Sequence, residues 1–160
     1  MGVWSVIAAL VVVLLSFPSL GEGWITFRGP YGVTLCLPPG GAVVPHAAGV
    51  VRVELPFPSG TLLTELFLLL EAGTGPLPPG NPVHIGSREF LFSHTEEGAA
   101  GSRYESFQYA TSLDERNWIS LRFVIHTANP GMFPSPPPSY DRGAVLSLLC
   151  EILRSFSAGG

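Results

Sequence analysis

Hydrophobic and polar positions alternate with period two along several stretches of this chain, the mark of strands that bury one face. The strictest case covers residues 118–127, where Ile119, Leu121, Phe123 and Ile125 fall on one side and Ser120, Arg122 and His126 on the other. Residues 103–111 precede it across a charged loop at 113–117, so the two segments read as a hairpin. Four more strands are predicted, at 24–27, 33–37, 50–55 and 85–94, and the first two form an opening hairpin around the turn Gly29, Pro30, Tyr31 and Gly32. Residues 61–72 are different. They are apolar with no clear period and rich in Leu, Glu and Ala, so composition alone favours a helix there.

The period changes after residue 140. Asp141 can cap a helix in which Val145, Leu148, Leu149, Ile152 and Phe156 follow the 3.6-residue repeat, giving one amphipathic C-terminal helix. Residues 128–139 carry five prolines and form a stiff, extended crossover leading to that helix. The chain as a whole holds 16 prolines and 19 glycines, which break it into many short segments and favour β structure. The reading is therefore an α+β domain over residues 24–160, an antiparallel sheet of about six strands covered by the C-terminal helix.

Residues 3–15 are apolar apart from Ser5, and Pro18, Ser19, Leu20 and Gly21 follow. This pattern predicts a signal peptide at residues 1–23, cleaved after Gly21 or Gly23, and hence a secreted or periplasmic protein. The run falls short of the roughly 20 residues that span a bilayer. Residues 1–3 hold no Lys or Arg, which leaves an uncleaved anchor as the alternative and makes the membrane a partner only in that case. No cysteine closes the leader for lipidation. Cys36 and Cys150 are the only thiols, and outside the cytoplasm they pair if the fold brings their Cα atoms within about 7 Å; otherwise they stand as two separate thiols.

Net charge of −4, a pI near 5.5 and 12% charged residues provide no basic field, so nucleic acid is not expected as a partner. Among candidate sites, His94 with Glu96 and Glu97 offers imidazole and carboxylate for a metal or for acid–base work, in competition with a solvated strand end. The outward face of 118–127 presents Trp118, Arg122 and His126 as a ligand-contact surface, with Tyr104, Phe107 and Tyr109 on the neighbouring strand available either to that surface or to sheet packing. The segment Gly98 to Gly101 lacks the lysine and helix of a phosphate-binding loop. No serine has a nucleophile-elbow context, and no cofactor is expected.

Five segments taken in order, YGVTLCLPPG, PSGTLLTELFLLLEA, REFLFSHTEEGAAGSRYESFQYAT, ISLRFVIHTANPG and YDRGAVLSLLCEILRSF, resemble a group of uncharacterised small exported or lipid-anchored bacterial proteins with a PsbP/Mog-type fold. The resemblance implies an antiparallel sheet with helical cover, makes residues 61–72 a strand against their local composition, and implies no enzyme. Relatives often carry a cysteine near the position of Trp118, which this chain lacks. The expected function is a non-enzymatic binding or accessory domain whose ligand is a protein or a cell-envelope component. It contacts that ligand through Trp118, Arg122, His126 and the proline-rich loop. The alternatives are a metal-dependent or acid–base enzyme using His94, Glu96, Glu97 and His126, and a membrane-tethered envelope domain.

Overall fold

The computed structural model describes residues 22–159, so the leader expected at residues 1–23 lies almost wholly outside the described residues. Ten strands follow in chain order: β1 (Ile25–Arg28), β2 (Val33–Leu37), β3 (Ala42–Val44), β4 (Val50–Glu54), β5 (Leu63–Thr74), β6 (Asn81–Ile85), β7 (Arg88–Ala99), β8 (Ser102–Ser112), β9 (Asn117–Thr127) and β10 (Ser157–Ala158). One helix, α1 (Arg142–Arg154), stands between β9 and β10. All the pairings are antiparallel, and they make two sheets. Seven strands lie in the order β3-β4-β5-β9-β8-β7-β6, and three in the order β1-β2-β10.

This corrects the expected α+β layout of one six-stranded sheet under a helix: the described chain is mostly β, with sheets of seven and three strands and a single helix. Three features produce the difference. β1 and β2 leave the main sheet and pair with the short C-terminal β10 instead. β3 and β6 arise within Pro- and Gly-rich stretches that read as loops, and β6 tolerates Pro82 because it is an edge strand with one side free of ladder bonds. The polar stretch 95–102 does not form a loop: residues 95–99 extend β7 and Ser102 opens β8, with only Ala100 and Gly101 turning between them.

Residues 61–72, helical by composition, hold most of β5, the long strand between β4 and β9. Leu66, Leu68 and Leu70 point into the core and are fully buried, while Phe67 and Leu69 face the opposite side beneath the Arg52 guanidinium, 3.8 Å from the Phe67 ring centre. With Phe67 and Leu69 at outward positions the segment reads as a continuous apolar run, which hides the period-two signal that tertiary pairing then imposes.

The inner face of the seven-stranded sheet is built from Leu66, Leu68 and Leu70 of β5, Ile119, Leu121, Phe123 and Ile125 of β9, and Phe90 of β7. Phe27, Val33, Leu35 and Leu37 of the small sheet join the same cluster, as do Val145, Leu149, Ile152 and Leu153 of α1. The small sheet and the helix together thus form the second layer. Asp141 caps α1 as expected, its carboxylate accepting from Ala144 N at 3.0 Å. Ser155, just past the helix, ties the layer together by accepting from Cys36 N at 2.8 Å.

β7 and β8 turn through Ala100 and Gly101, both at positive φ (50° and 79°), as a two-residue type I′ hairpin requires. Alanine is strained there, whereas asparagine followed by glycine is the favoured pair. Ala100→Asn is expected to raise unfolding stability by about 1 kcal/mol, read from denaturant midpoints; an unchanged or lower midpoint would show that the turn stores no strain. Gly101 has a second constraint, since a Cβ there would lie 2.3 Å from Asn129 Nδ2, the group that donates to Ala100 O at 2.7 Å.

Candidate functional site

Strand alternation gives β7, β8 and β9 two separate polar surfaces. On the inner face, beyond the apolar core, His94 and Glu96 of β7 meet Arg103 and Glu105 of β8 and Arg142 from the first turn of α1. Glu105 is 2% exposed. Its Oε1 accepts from Arg142 Nη2 at 2.8 Å, and its Oε2 from Arg103 Nη2 at 3.1 Å. His94 Nε2 lies 3.6 Å from Oε1, and the ring stacks on Phe107 with centroids 4.6 Å apart.

Ligand atoms of His94, Glu96 and Glu105 all lie within 4.8 Å of one another, a spacing that can hold a cation. The charges argue otherwise. Two carboxylates are balanced by two guanidiniums, and both oxygens of Glu105 are already engaged. A cation here would sit beside Arg103 and Arg142, where one pair of unit like charges at about 4 Å costs roughly 4 kcal/mol even at an effective dielectric of 20. Glu97 and His126, expected to contribute to this cluster, lie on the opposite face of the sheet. The cluster is a clamp joining α1 to β8.

Burial alone would push the Glu105 carboxyl up, but the Arg142 hydrogen bond and charge, followed by Arg103 and His94, hold it below its ordinary value of 4.5. A depressed carboxyl stabilises the fold above its unfolded pKa, and this contribution disappears as pH falls through the folded value. Wild type is therefore expected to lose stability between about pH 5 and pH 2 more steeply than Glu105→Gln, as read from urea midpoints across that window. Parallel curves would remove the clamp from the acid response.

The outer face of the same strands carries a groove of about 400 Å³ lined by Ser93, Thr95, Glu97, Tyr104, Ser106, Gln108, Arg122 and Val124. Register explains the grouping. Arg122 pairs with Gln108 and Gln108 with Ser93; Val124 pairs with Ser106 and Ser106 with Thr95; Tyr104 pairs with Glu97. Arg122 Nη2 donates to Gln108 Oε1 at 3.2 Å, and Gln108 Nε2 donates onward to Ser120 Oγ at 3.5 Å. Tyr104 stacks on His126, with centroids 3.9 Å apart and planes within 6°. His126 is fixed in turn by Thr64 Oγ1 at 2.9 Å and Glu65 Oε2 at 3.2 Å from its Nδ1.

Comparison with known proteins yields a likeness of fold. No protein-family model and no curated protein matches this chain. A crystal structure from Bacteroides thetaiotaomicron VPI-5482 is similar, with a TM-score of 0.54 at 14% identity over 84% of this chain and 48% of that one. This chain thus spans about half the length of that protein, and at such identity the likeness concerns the fold alone.

Of the three residues expected to form a contact surface, Trp118, Arg122 and His126 do share the outer face, but only Arg122 lines the groove. The Trp118 ring lies flat over Gly73, where an added Cβ would sit 2.2 Å from its Cζ2. Its Nε1 and His126 Nε2 are both buried without a hydrogen-bond partner among the described residues, so neither presents a polar atom to a ligand. Trp118 covers a glycine gap in β5, and His126 positions Tyr104. The proline-rich loop is absent from the groove lining; it is anchored at the β7–β8 turn through Asn129, with Met132 68% exposed. Of the two outcomes left open for the thiols, separate cysteines are found: Cys36 is buried in β2 and Cys150 is exposed on α1, and both are free.

Gln108, Ser93, Thr95 and Ser106 do not stand out in the sequence, because each is an ordinary polar residue until three strands are put in register. Glu105 escapes notice despite a usable signal. It shares its parity on β8 with Phe107 and Tyr109 and therefore falls on the apolar side.

Proposed function

We propose that this chain is an exported, non-enzymatic binding domain that takes a polar component of the cell envelope into the groove on the outer face of β7, β8 and β9. The carrying observation is the lining itself. Seven of its eight side chains are polar and only Val124 is apolar, on a sheet face that neither α1 nor the small sheet covers. The volume is that of a small-molecule site. A protein interface would centre on a cluster of aromatic and aliphatic anchors, whereas here Tyr104 and Val124 stand among six polar or charged side chains, so the envelope component is favoured over a protein partner. An acid–base or metal-dependent enzyme has less support, since the His94, Glu96 and Glu105 cluster is charge-balanced by Arg103 and Arg142.

The test is co-sedimentation of the protein, recovered from its own host, with isolated host envelope polysaccharide. Wild type is expected to sediment. Ser106→Tyr, which fills the groove floor, is expected to stay in the supernatant with an unchanged thermal midpoint. Equal sedimentation of both would overturn the groove as the contact surface, and failure of wild type to sediment would overturn the envelope ligand. The N-terminal residue and cell fraction of the same preparation test export: a start near Glu22 outside the cytoplasm supports it, and full-length protein in the cytosol overturns it.

A further inference from the structure

Arg122 is the one cation in the groove, and no carboxylate lies within ion-pair distance of it among the described residues. Its hydrogen-bond partner is the neutral oxygen of Gln108, itself oriented by Ser120, and its cross-strand neighbour on the other side is the apolar Leu69. A half-buried guanidinium held on one edge by a neutral acceptor keeps further N–H donors for an incoming anion, in the planar fork that matches a carboxylate. Arg52, on the same face, differs: Glu54 and Glu65 and the Phe67 ring already occupy it.

The rest of the groove narrows the anion. Glu97 lines the other end and has no ion partner within 4.0 Å among the described residues. It stands four positions along β7 from Ser93, beside the Arg122–Gln108 pair, or about 13 Å along an extended strand. One guanidinium without a carboxylate partner suits a single negative charge, and Glu97 at the other end repels any further one, which disfavours a phosphate or a densely sulfated chain. Between the two ends stand the hydroxyls of Ser93, Thr95 and Ser106. The backbone of these strands is already paired within the sheet, so a peptide finds no free ladder edge here. Glu97 accepts hydrogen bonds from hydroxyls, and Tyr104, backed on one face by His126, offers a ring to the apolar side of a sugar.

Resting on the envelope-binding reading above, we propose that the groove recognises an acidic saccharide, a uronate-type sugar whose carboxylate is received by Arg122 while its hydroxyls are read by Gln108, Ser93, Thr95, Ser106 and Glu97.

The experiment titrates the full protein with a singly charged uronoside, methyl α-galacturonoside, with the methyl ester of the same sugar, and with acetate and inorganic phosphate, following affinity by calorimetry and location by amide chemical shifts. The free acid is expected to bind about tenfold to a hundredfold more tightly than the ester, with shifts centred on Ser93, Gln108 and Arg122. Acetate, which lacks the hydroxyls, is expected to bind far more weakly. Added salt is expected to weaken the acid but not the ester. Arg122→Gln is expected to bring acid and ester to equal affinity. If that variant is unstable, the salt contrast on wild type distinguishes the same two outcomes. Equal binding of acid and ester by wild type overturns the carboxylate reading while leaving a saccharide-binding groove intact. Tighter binding of phosphate overturns it in favour of a phosphorylated ligand. If neither saccharide binds and envelope polysaccharide does not sediment, the binding function itself fails.

Discussion

Arg142→Ala is expected to destabilise the domain by about 3 kcal/mol, although elementary helix electrostatics points the other way. Arg142 is the first residue of α1, where a positive charge opposes the helix dipole and its removal should gain about 0.3–1 kcal/mol. The side chain is 44% exposed, so its own desolvation is modest. What decides the sign is Glu105, 2% exposed, which would keep its buried charge and lose the 2.8 Å hydrogen bond, with Arg103 at 3.1 Å as its remaining close donor. Glu105→Leu removes charge and demand together and is expected to stay within about 1 kcal/mol of wild type. The double variant should then lose the Arg142→Ala penalty. A double-mutant cycle from denaturant midpoints checks this, and additive effects would show that the pair is not coupled.

Phe123→Ala is expected to cost about 3–5 kcal/mol, a large share of the roughly 5–15 kcal/mol that holds a domain of this size together. Phe123 is fully buried at the middle of β9, opposite Leu68 on one side and Phe107 on the other, with the Tyr109 ring edge-on at 6.3 Å. Those neighbours belong to ladders that fix the backbone, so the vacated space cannot close fully. Phe133→Ser, in the exposed loop, is the matched control and should shift stability by no more than about 0.5 kcal/mol. Urea unfolding of both variants with unchanged slopes checks the comparison. A loss below 1 kcal/mol for Phe123→Ala would mean the core is not packed as described.

The same contrast between local and distant determinants governs what the sequence makes legible. β9 is readable because Ile119, Leu121, Phe123 and Ile125 alternate with Ser120, Arg122 and His126, broken only by Val124, and α1 because Asp141 sits four positions before Val145, the first residue of a 3.6-residue repeat. In β5 the signal disappears because Phe67 and Leu69 fill the outward positions that a half-buried strand would make polar. β6 is obscured by Pro82, which an edge strand tolerates, β3 by its three-residue length between Pro- and Gly-rich stretches, and the β7–β8 turn by an alanine where positive φ normally selects asparagine or glycine. Arg122 can be placed on the outer face from its own strand. The groove around it cannot, since Ser93, Gln108 and Arg122 become neighbours only through two successive pairing registers. Parity also separates His94 and Glu96 from Glu97, a distinction available from β7 alone once its full length is known.

The placement of β5 also sets the order in which this protein can be made. Its downstream partner is β9, so β6, β7 and β8 must all be synthesised before the run from Leu63 to Leu70 can be enclosed. Such non-local pairing folds slowly, and until it is complete one of the most apolar stretches of the chain has an open ladder edge. A nascent chain interrupted before Asn117 therefore exposes a ready template for self-association.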